Sequence, residues 1–213
     1  MVKTKRIPKA TITRLSIYHR QLELLEFDGY RQVSSEKLAW LCQVSPAQVR
    51  KDLGYFGGFG VRGVGYDVIE LQAQIREILA LNKVWNLAVV GIGNLGSALL
   101  RSGSFAMRGF NCIAAFDKDP AKVGKPTSAG VPIRHVDELP TAVRDLQVDM
   151  GVITTPASAA QWVADMFVRG KVNAILNFSP TRIYVPDCCL VENIDFTIKL
   201  DILTYRLTHG SAN

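Results

Sequence analysis

Residues 85–96 read Trp85-Asn86-Leu87-Ala88-Val89-Val90-Gly91-Ile92-Gly93-Asn94-Leu95-Gly96. The stretch up to Val90 is an apolar run of strand length, Gly91 to Gly96 is a G-x-G-x-x-G, and Ser97-Ala98-Leu99-Leu100 continues as a helix. In such a turn the first glycine permits a tight strand-to-helix reversal, the second lets backbone approach a pyrophosphate, and the third lets helix and strand pack closely. The phosphates then lie at a helix N-terminus, where unpaired N–H groups and the positive end of the helix dipole suit an anion. A second apolar run, Cys112-Ile113-Ala114-Ala115-Phe116, ends at Asp117, about twenty residues beyond the last glycine, where this fingerprint places an acid on the adenosine ribose. Strand, turn, helix and acid together predict a dinucleotide site built from Gly91, Ile92, Gly93, Asn94, Leu95, Gly96 and Asp117. An acid there accepts ribose hydroxyls and repels a 2′-phosphate, which favours NADH and NAD+ over their phosphorylated forms. The other reading of Asp117 is a turn-forming acid in Asp117-Lys118-Asp119-Pro120.

C-terminal to this unit the pattern of strand and helix repeats. Val131-Pro132-Ile133 reads as a short strand and Asp137 to Leu146 as a helix capped by Asp137. Val148 to Thr154 is a strand, Ala157 to Arg169 a helix, and Val172 to Phe178 a fifth strand. Strands alternating with helices imply right-handed crossovers and an α/β, Rossmann-like, doubly wound parallel sheet. Ligands bind at the carboxyl ends of such strands, which makes Thr154, Thr155, Asn177 and Phe178 candidates for the nicotinamide end, with ordinary strand-end turn residues as the alternative. Ile194 to Leu207 has helical spacing, with Phe196, Leu200, Leu203 and Leu207 on one side and Ile198, Ile202 and Tyr205 widening it. That is more apolar surface than one exposed terminal helix carries, so it packs on its own sheet or on a partner subunit.

N-terminal to residue 85 the chain changes character. Pro8 starts a helix whose apolar positions Leu15, Tyr18, Leu22 and Leu25 run to Gly29. Ser34 caps a short helix through Leu41. A third helix begins at Ser45, with Pro46 in its first position and Gln48 in the capping-box position, and runs to about Phe56. Its first two turns expose Gln48, Arg50, Lys51 and Asp52, next to the capping Ser45. In a helix-turn-helix such side chains reach base edges and phosphates; the alternative is a polar face on a three-helix bundle. Residues 57–66, GGFGVRGVGY, interleave glycines with Phe59, Val61, Val64 and Tyr66 around Arg62. This suits a short twisted hairpin, the wing of a winged helix, whose arginine enters a minor groove, and it is too apolar for a bare linker. Val68 to Leu81 is a connecting helix with Ile69, Ile75, Ile78 and Leu79 inward. The expected domains are 1–81, 82–192 and 193–213.

Charge agrees with this division. The chain has 213 residues and a formal net charge of +6, and residues 1–20 carry Lys3, Lys5, Arg6, Lys9, Arg14 and Arg20 without an acid. A one-signed basic segment beside a DNA-reading motif serves as its electrostatic footprint. With 48% hydrophobic and 21% charged residues the composition is that of a globular protein with real cores. No apolar run has membrane-spanning length and the basic N-terminus lacks the apolar segment of a secretory signal, so no membrane partner and a cytoplasmic location are expected. Cys42, Cys112, Cys188 and Cys189 lack C-x-x-C spacing and read as buried free thiols, and no metal site is expected.

The order winged helix, then dinucleotide domain, is unusual. The chain resembles the Rex redox-sensing transcriptional repressors through SSEKLA (34–39), QVRKDLGYFGGFGVRGVGY (48–66), VGIGNLGSAL (90–99), FDKDPAKVGKP (116–126) and ILNFSP (175–180). The resemblance implies a homodimer that binds an inverted-repeat, double-stranded DNA operator when NADH is scarce and leaves it when NADH rises. It implies recognition-helix roles for Arg50 and Lys51, a wing role for Arg62, and a C-terminal helix exchanged between subunits. It also matches Arg20 and Asp195 to an inter-subunit ion pair made in one of two states. Two departures stand out. Ser102 lies where the family often has a tyrosine, and Gly54 where it more often has serine or alanine, at a cost of up to about 1 kcal/mol of helix stability relative to alanine.

The rival class is an enzyme, a small NAD-dependent oxidoreductase or a CoA-binding domain of similar fold. Hydride transfer wants a positioned acid or base near the substrate carbonyl. His19, His135 and His209 fall in the first helix, a loop and the tail, and no substrate domain remains. No catalytic residue is therefore expected.

Overall fold

Leu15, Tyr18, Leu22 and Leu25 line one face of α1 (Lys9–Phe27), and that face is buried. After it come β1 (Gln32–Val33), α2 (Ser35–Leu41), α3 (Pro46–Leu53), β2 (Tyr66–Asp67) and α4 (Val68–Ile78). The computed structural model describes residues 7–61, 63–103 and 105–210, and the chain divides into two units, 1–83 and 84–213. In the first unit α1 packs on α4 and on the α2–α3 pair, around a core that also takes in Leu38, Val49, Leu53, Leu71 and Ile75.

Serine caps set the starts of α2 and α3. Ser34 Oγ accepts the Lys37 N–H at 3.2 Å, and Ser45 Oγ accepts the Gln48 N–H at 3.1 Å. Only half of the predicted capping box forms, because the Gln48 side chain turns to Asp52 instead of back to Ser45. Helix α3 ends at Leu53, short of the predicted Phe56. Gly54 caps it, so the interior-glycine cost expected there does not apply. The hairpin forms as expected: Val61 and Gly65 exchange backbone hydrogen bonds, and β2 pairs antiparallel with β1, Val33 opposite Tyr66. Gly65 has φ +103°, and a Cβ there would lie 2.6 Å from the Val33 carbonyl oxygen. Phe59 and Tyr66 pack on the core, while Val61 and Val64 are exposed at the tip. Helix α4 stops at Ile78, before the predicted Leu81, and Ile69 faces outward while Val68 and Leu71 take the buried face.

The second unit runs β3 (Trp85–Val90), α5 (Asn94–Arg101), β4 (Phe110–Asp117), β5 (Ile133–His135), α6 (Leu139–Asp145), β6 (Met150–Ile153), α7 (Ala157–Arg169), β7 (Ala174–Asn177), β8 (Leu190–Asn193) and α8 (Thr197–His209). The strands form one parallel sheet in the order β5-β4-β3-β6-β7-β8. That order reverses direction between β3 and β6, which is the topological switch point of a doubly wound fold.

The sequence had placed fewer strands. It missed β8 and put the third strand at Val131–Ile133, two residues early, because Pro132 and the turn before it imitate a strand start. Strands β6 and β7 are shorter than expected at both ends. Asp137 caps nothing: it lies in a 3-10 turn, Val136–Glu138, and α6 starts at Leu139 without a side-chain cap.

The faces of this sheet are covered unequally. Ala88, Val90, Ile153 and Ile175 pack under α6 and α7. On the opposite face Leu87, Val89 and Val152 meet α5. Beyond α5 this second face carries an apolar hollow of about 370 Å³, lined among others by Phe105, Phe110, Met150, Leu176 and Val191. Helix α8 buries none of its residues: Ile198, Leu200, Ile202, Leu203 and Tyr205 are exposed, as is Phe196 just before it, and Leu207 is 87% exposed. Among the described residues no helix is long and apolar enough to cross a membrane.

Candidate dinucleotide and nucleic-acid sites

The glycines at the end of β3 differ in what surrounds them. Gly91 has φ +95°, and a Cβ there would lie 2.9 Å from the Thr154 carbonyl oxygen. Gly96 is buried, and a Cβ on it would stand 2.2 Å from the Gly91 carbonyl oxygen, so it sets how closely α5 approaches β3. Gly93 is the opposite case, because a Cβ there meets nothing within 4 Å. Exposed Gly93, Asn94 and Leu95 thus start α5 beside open space, with no side-chain cap on Gly93. Gly91 takes the tight turn and Gly96 the close packing read for them, and the space over Gly93 leaves room for a pyrophosphate.

Asp117 ends β4, next to β3, and is buried. Its Oδ2 accepts the Ile92 N–H at 2.8 Å and the Lys122 ammonium at 2.9 Å, and its Oδ1 accepts the Asp119 N–H at 3.0 Å. Burial alone would lift this carboxyl, but the Asp119 N–H, Lys122 and the Ile92 N–H outweigh it and hold the group below the usual carboxylate range. The turn reading of Asp117 holds, since its Oδ1 closes the Asp117–Asp119 turn. Lys122, five positions on in the same loop, was missed; its only signal was its place in DKDPAKVG.

Across the switch point, Thr154 and Thr155 follow β6. The Thr154 hydroxyl donates to the carbonyl oxygens of Gly91 and Val90 and so braces the glycine turn. Thr155 Oγ1 is buried without a hydrogen-bond partner among the described residues, and its methyl would be 3.0 Å from a Cβ on Gly91. A buried hydroxyl left unsatisfied costs about 1–3 kcal/mol. Open space over Gly93, an ionised acid at the end of β4 and this orphaned hydroxyl fit a dinucleotide lying across the ends of β3, β4 and β6. Asn177 is not available to it: it is fully buried and its amide donates to the Thr181 carbonyl and to Asn193 Oδ1. Phe178 packs at the apolar face of the sheet.

In the first unit Arg50 and Lys51 are exposed on α3 and Gln48 is half-buried. The Arg50 guanidinium donates to Ser35 Oγ at 2.8 Å and reaches Glu36 at 3.4 Å. Exposed Ser45 spends its acceptor on the cap. Asp52 corrects the sequence reading, which had it on the exposed face: it is fully buried and accepts from Thr11, Arg14, Tyr18 and Gln48. Burial would raise its carboxyl, yet the hydrogen bonds from Arg14, Tyr18, Gln48 and Thr11 hold it below the usual range, and burial with the bond to Asp52 pushes the Tyr18 hydroxyl up. Arg62, Lys3, Lys5 and Arg6 lie outside the described residues. Arg20 is exposed on α1, and Asp195 is half-buried before α8, where its Oδ1 accepts the Thr197 N–H at 2.9 Å and the Thr197 hydroxyl at 2.6 Å.

The remaining expectations concern metals, thiols and histidines. Among the described residues no cluster of histidine, cysteine or acidic side chains could hold a metal ion. Cys189 is buried and Cys42 and Cys112 partly so, but Cys188 is exposed, against expectation. His135 ends β5 rather than lying in a loop, at the sheet edge away from the switch point, with its Nδ1 on the Asp137 N–H.

Comparisons with known proteins match both units. The CoA binding domain family matches residues 82–181, and the family described as "Putative DNA-binding protein N-terminus" matches residues 6–54. The redox-sensing transcriptional repressor Rex of Syntrophobacter fumaroxidans is 59% identical over 210 residues, which cover 99% of this chain and 100% of that protein. The crystal structure of RSP, a Rex-family repressor, in complex with β-NAD+ and operator DNA superposes with a TM-score of 0.91 at 36% identity, covering 96% of this chain and 94% of that one. RSP in complex with β-NADH gives a TM-score of 0.88 at 35% identity, over 96% and 95% of the two chains. These relatives are repressors by name, which sets aside the oxidoreductase alternative. The chain belongs to the Rex family of redox-sensing transcriptional repressors.

Proposed function

We propose that the chain works in the cytoplasm as a homodimer that occupies an inverted-repeat operator when NADH is low and leaves it when NADH rises. Gly91, Ile92, Gly93, Asn94, Leu95 and Gly96 cradle the pyrophosphate, Asp117 holds the adenosine ribose, and Thr155 lies toward the nicotinamide. Ser45, Gln48, Arg50 and Lys51 meet the operator from the start of α3, with Arg62 on the wing. Arg20 of one subunit and Asp195 of the other pair in one of the two subunit arrangements. The division of labour is 1–81 for DNA, 82–192 for the dinucleotide and 193–213 for dimerisation.

The observation that carries this reading is the orphaned Thr155 hydroxyl beside an open glycine turn, in a chain whose other unit is a serine-capped helix-turn-helix with a wing. The dimer is supported by the exposed apolar side chains of α8 and by the apolar hollow on the sheet of the same unit, which a second copy of the chain would cover. Exposed apolar surface of this extent marks an association site.

Reduction removes the positive charge of the nicotinamide ring, so one pocket can bind the two forms with different affinity. If DNA and NADH favour different subunit arrangements, each weakens the other's binding by the same factor, whereas a ligand that binds both arrangements equally shifts nothing. Two recognition helices related by a two-fold axis then meet two half-sites only at one separation.

The test is fluorescence anisotropy of a labelled inverted-repeat duplex at fixed salt, titrated separately with NADH and NAD+. Release by NADH at concentrations where NAD+ leaves the duplex bound supports the reading. Equal response to both nucleotides, or to neither, removes the sensing role, and no binding of the duplex removes the operator role.

A further inference from the structure

We infer that Asp52 is a positioning residue for base readout: it holds the Gln48 amide so that the free edge of that amide matches an adenine at one operator position. The inference rests on the reading of α3 as the recognition helix.

Asp52 itself is out of reach of DNA. It is fully buried, its Oδ1 accepts from Thr11 Oγ1 at 3.0 Å, Arg14 Nη2 at 2.8 Å and Gln48 Nε2 at 2.9 Å, and its Oδ2 accepts from Arg14 Nε and from the Tyr18 hydroxyl at 2.9 Å. An ionised carboxylate only accepts, and it offers about four lone-pair sites, so these donors use its capacity. Thr11, Arg14 and Tyr18 all belong to α1 and compensate the buried charge. Gln48 is different: it lies one turn earlier on α3, half-buried, in the turn that opens the helix.

The chemistry of the acceptor decides which way that amide faces. A flipped Gln48 would set its carbonyl oxygen against the carboxylate, so the amide nitrogen must point at Asp52 and Oε1 away from it. One Nε2 hydrogen is then engaged, and the other hydrogen and Oε1 remain on the outer edge. A donor beside an acceptor on one amide edge pairs with N7 and N6 of adenine, and with no other base in the same way. With Asp52 in place the edge is fixed before DNA arrives, so less side-chain freedom is lost on binding.

The test uses the full-length chain as wild type, Gln48→Ala, Asp52→Asn and the double variant. Affinities are measured at fixed salt for operator duplexes in which each half-site position carries each base pair in turn, with melting temperature and NADH affinity measured on the same preparations. Gln48→Ala should flatten the preference for A·T at one position by about tenfold. Asp52→Asn should flatten the same position by a similar factor, the double variant should be no worse than either single, and the salt dependence should not change. A purely structural Asp52 would weaken all duplexes alike, or give losses that multiply in the double variant, and either result overturns the inference.

A second measurement needs no substitution. In the wild-type chain one of the two Gln48 Nε2 protons should exchange with solvent far more slowly than the other in an amide NMR spectrum. A solvent-averaged side chain there overturns the inference even if Asp52→Asn does not fold. If Gln48→Ala leaves every base preference intact, the inference falls together with the DNA role of Gln48. Failure of the wild type to bind any duplex strikes the reading of α3 instead.

Discussion

The Thr154 hydroxyl donates to the Gly91 carbonyl oxygen at 2.7 Å, across the point where the strand order of the sheet reverses. The same hydroxyl donates to Val90, and the Thr154 N–H also bonds the Val90 carbonyl at 2.9 Å, so the end of β6 is latched to the turn that opens α5. Replacing Thr154 by valine keeps the shape and deletes the donor. The expected result is a loss of about 1 kcal/mol of stability, seen in thermal melting, with NADH binding several-fold weaker and operator affinity without nucleotide unchanged.

Gly93 and Gly96 separate cradle from packing. Alanine at Gly93 points into open space, so Gly93→Ala should melt as the wild type does while NADH binding falls by an order of magnitude or more, because the methyl occupies room the pyrophosphate needs. Alanine at Gly96 meets the Gly91 carbonyl oxygen at 2.2 Å. Gly96→Ala should therefore cost about 1–3 kcal/mol of stability as well as NADH binding. Isothermal titration and calorimetry on the two variants distinguish these outcomes.

Asp52 and Asp117 are both held below the ordinary carboxylate range in the folded chain. For a depressed group the stabilisation is fully present above the unfolded value, about pH 4, and is lost as pH falls from there through the folded value. Urea melts from pH 6 to pH 3 should show stability flat at first and falling below about pH 4. Asp52→Asn should lower the plateau by about 3 kcal/mol, since Arg14 loses its partner, and should make the acid limb shallower. Asp117→Ala should narrow the preference for NADH over NADPH.

The thiols differ in reactivity. Burial pushes Cys42 and Cys112 up to about 11, whereas Cys188 is exposed. At pH 8 iodoacetamide should label Cys188 first, with Cys42 and Cys112 modified only once the chain unfolds, as read by peptide mass spectrometry.

Leu200 and Leu203 are exposed on α8, which buries nothing within its own chain. The pair of substitutions Leu200→Asp and Leu203→Asp should leave each unit folded by circular dichroism and shift the protein from dimer to monomer in light scattering. Operator affinity should fall with it, because two half-sites can no longer be met at once.

Much of the site was legible because its signals are local. Serine caps, a proline in a first helical turn, the spacing of three glycines and the apolar runs before Gly91 and Asp117 each depend on residues a few positions apart, and the structure places them as read. The exchanged role of Asn177, whose amide is consumed by Thr181 and Asn193, was not legible, since its second partner lies on β8, a strand whose own sequence, Leu190-Val191-Glu192-Asn193, has no clear alternation. Strands at a sheet edge are assigned by their neighbour more than by their residues.

Asp52 marks the same boundary most sharply. On α3 alone it sits with Gln48 and Lys51 among polar residues, and local pattern puts it in solvent. Its burial is decided by Thr11, Arg14 and Tyr18, which lie 41, 38 and 34 residues away and converge on it only when α1 packs against α3. The sequence by itself determined the two serine-capped helix starts, the glycine turn and the acid that follows it, because those are settled within one or two turns of chain. Tertiary structure alone decided which carboxylate is buried, which threonine hydroxyl is left without a partner and which helix keeps its apolar side uncovered, because each depends on what distant segments bring to the same place.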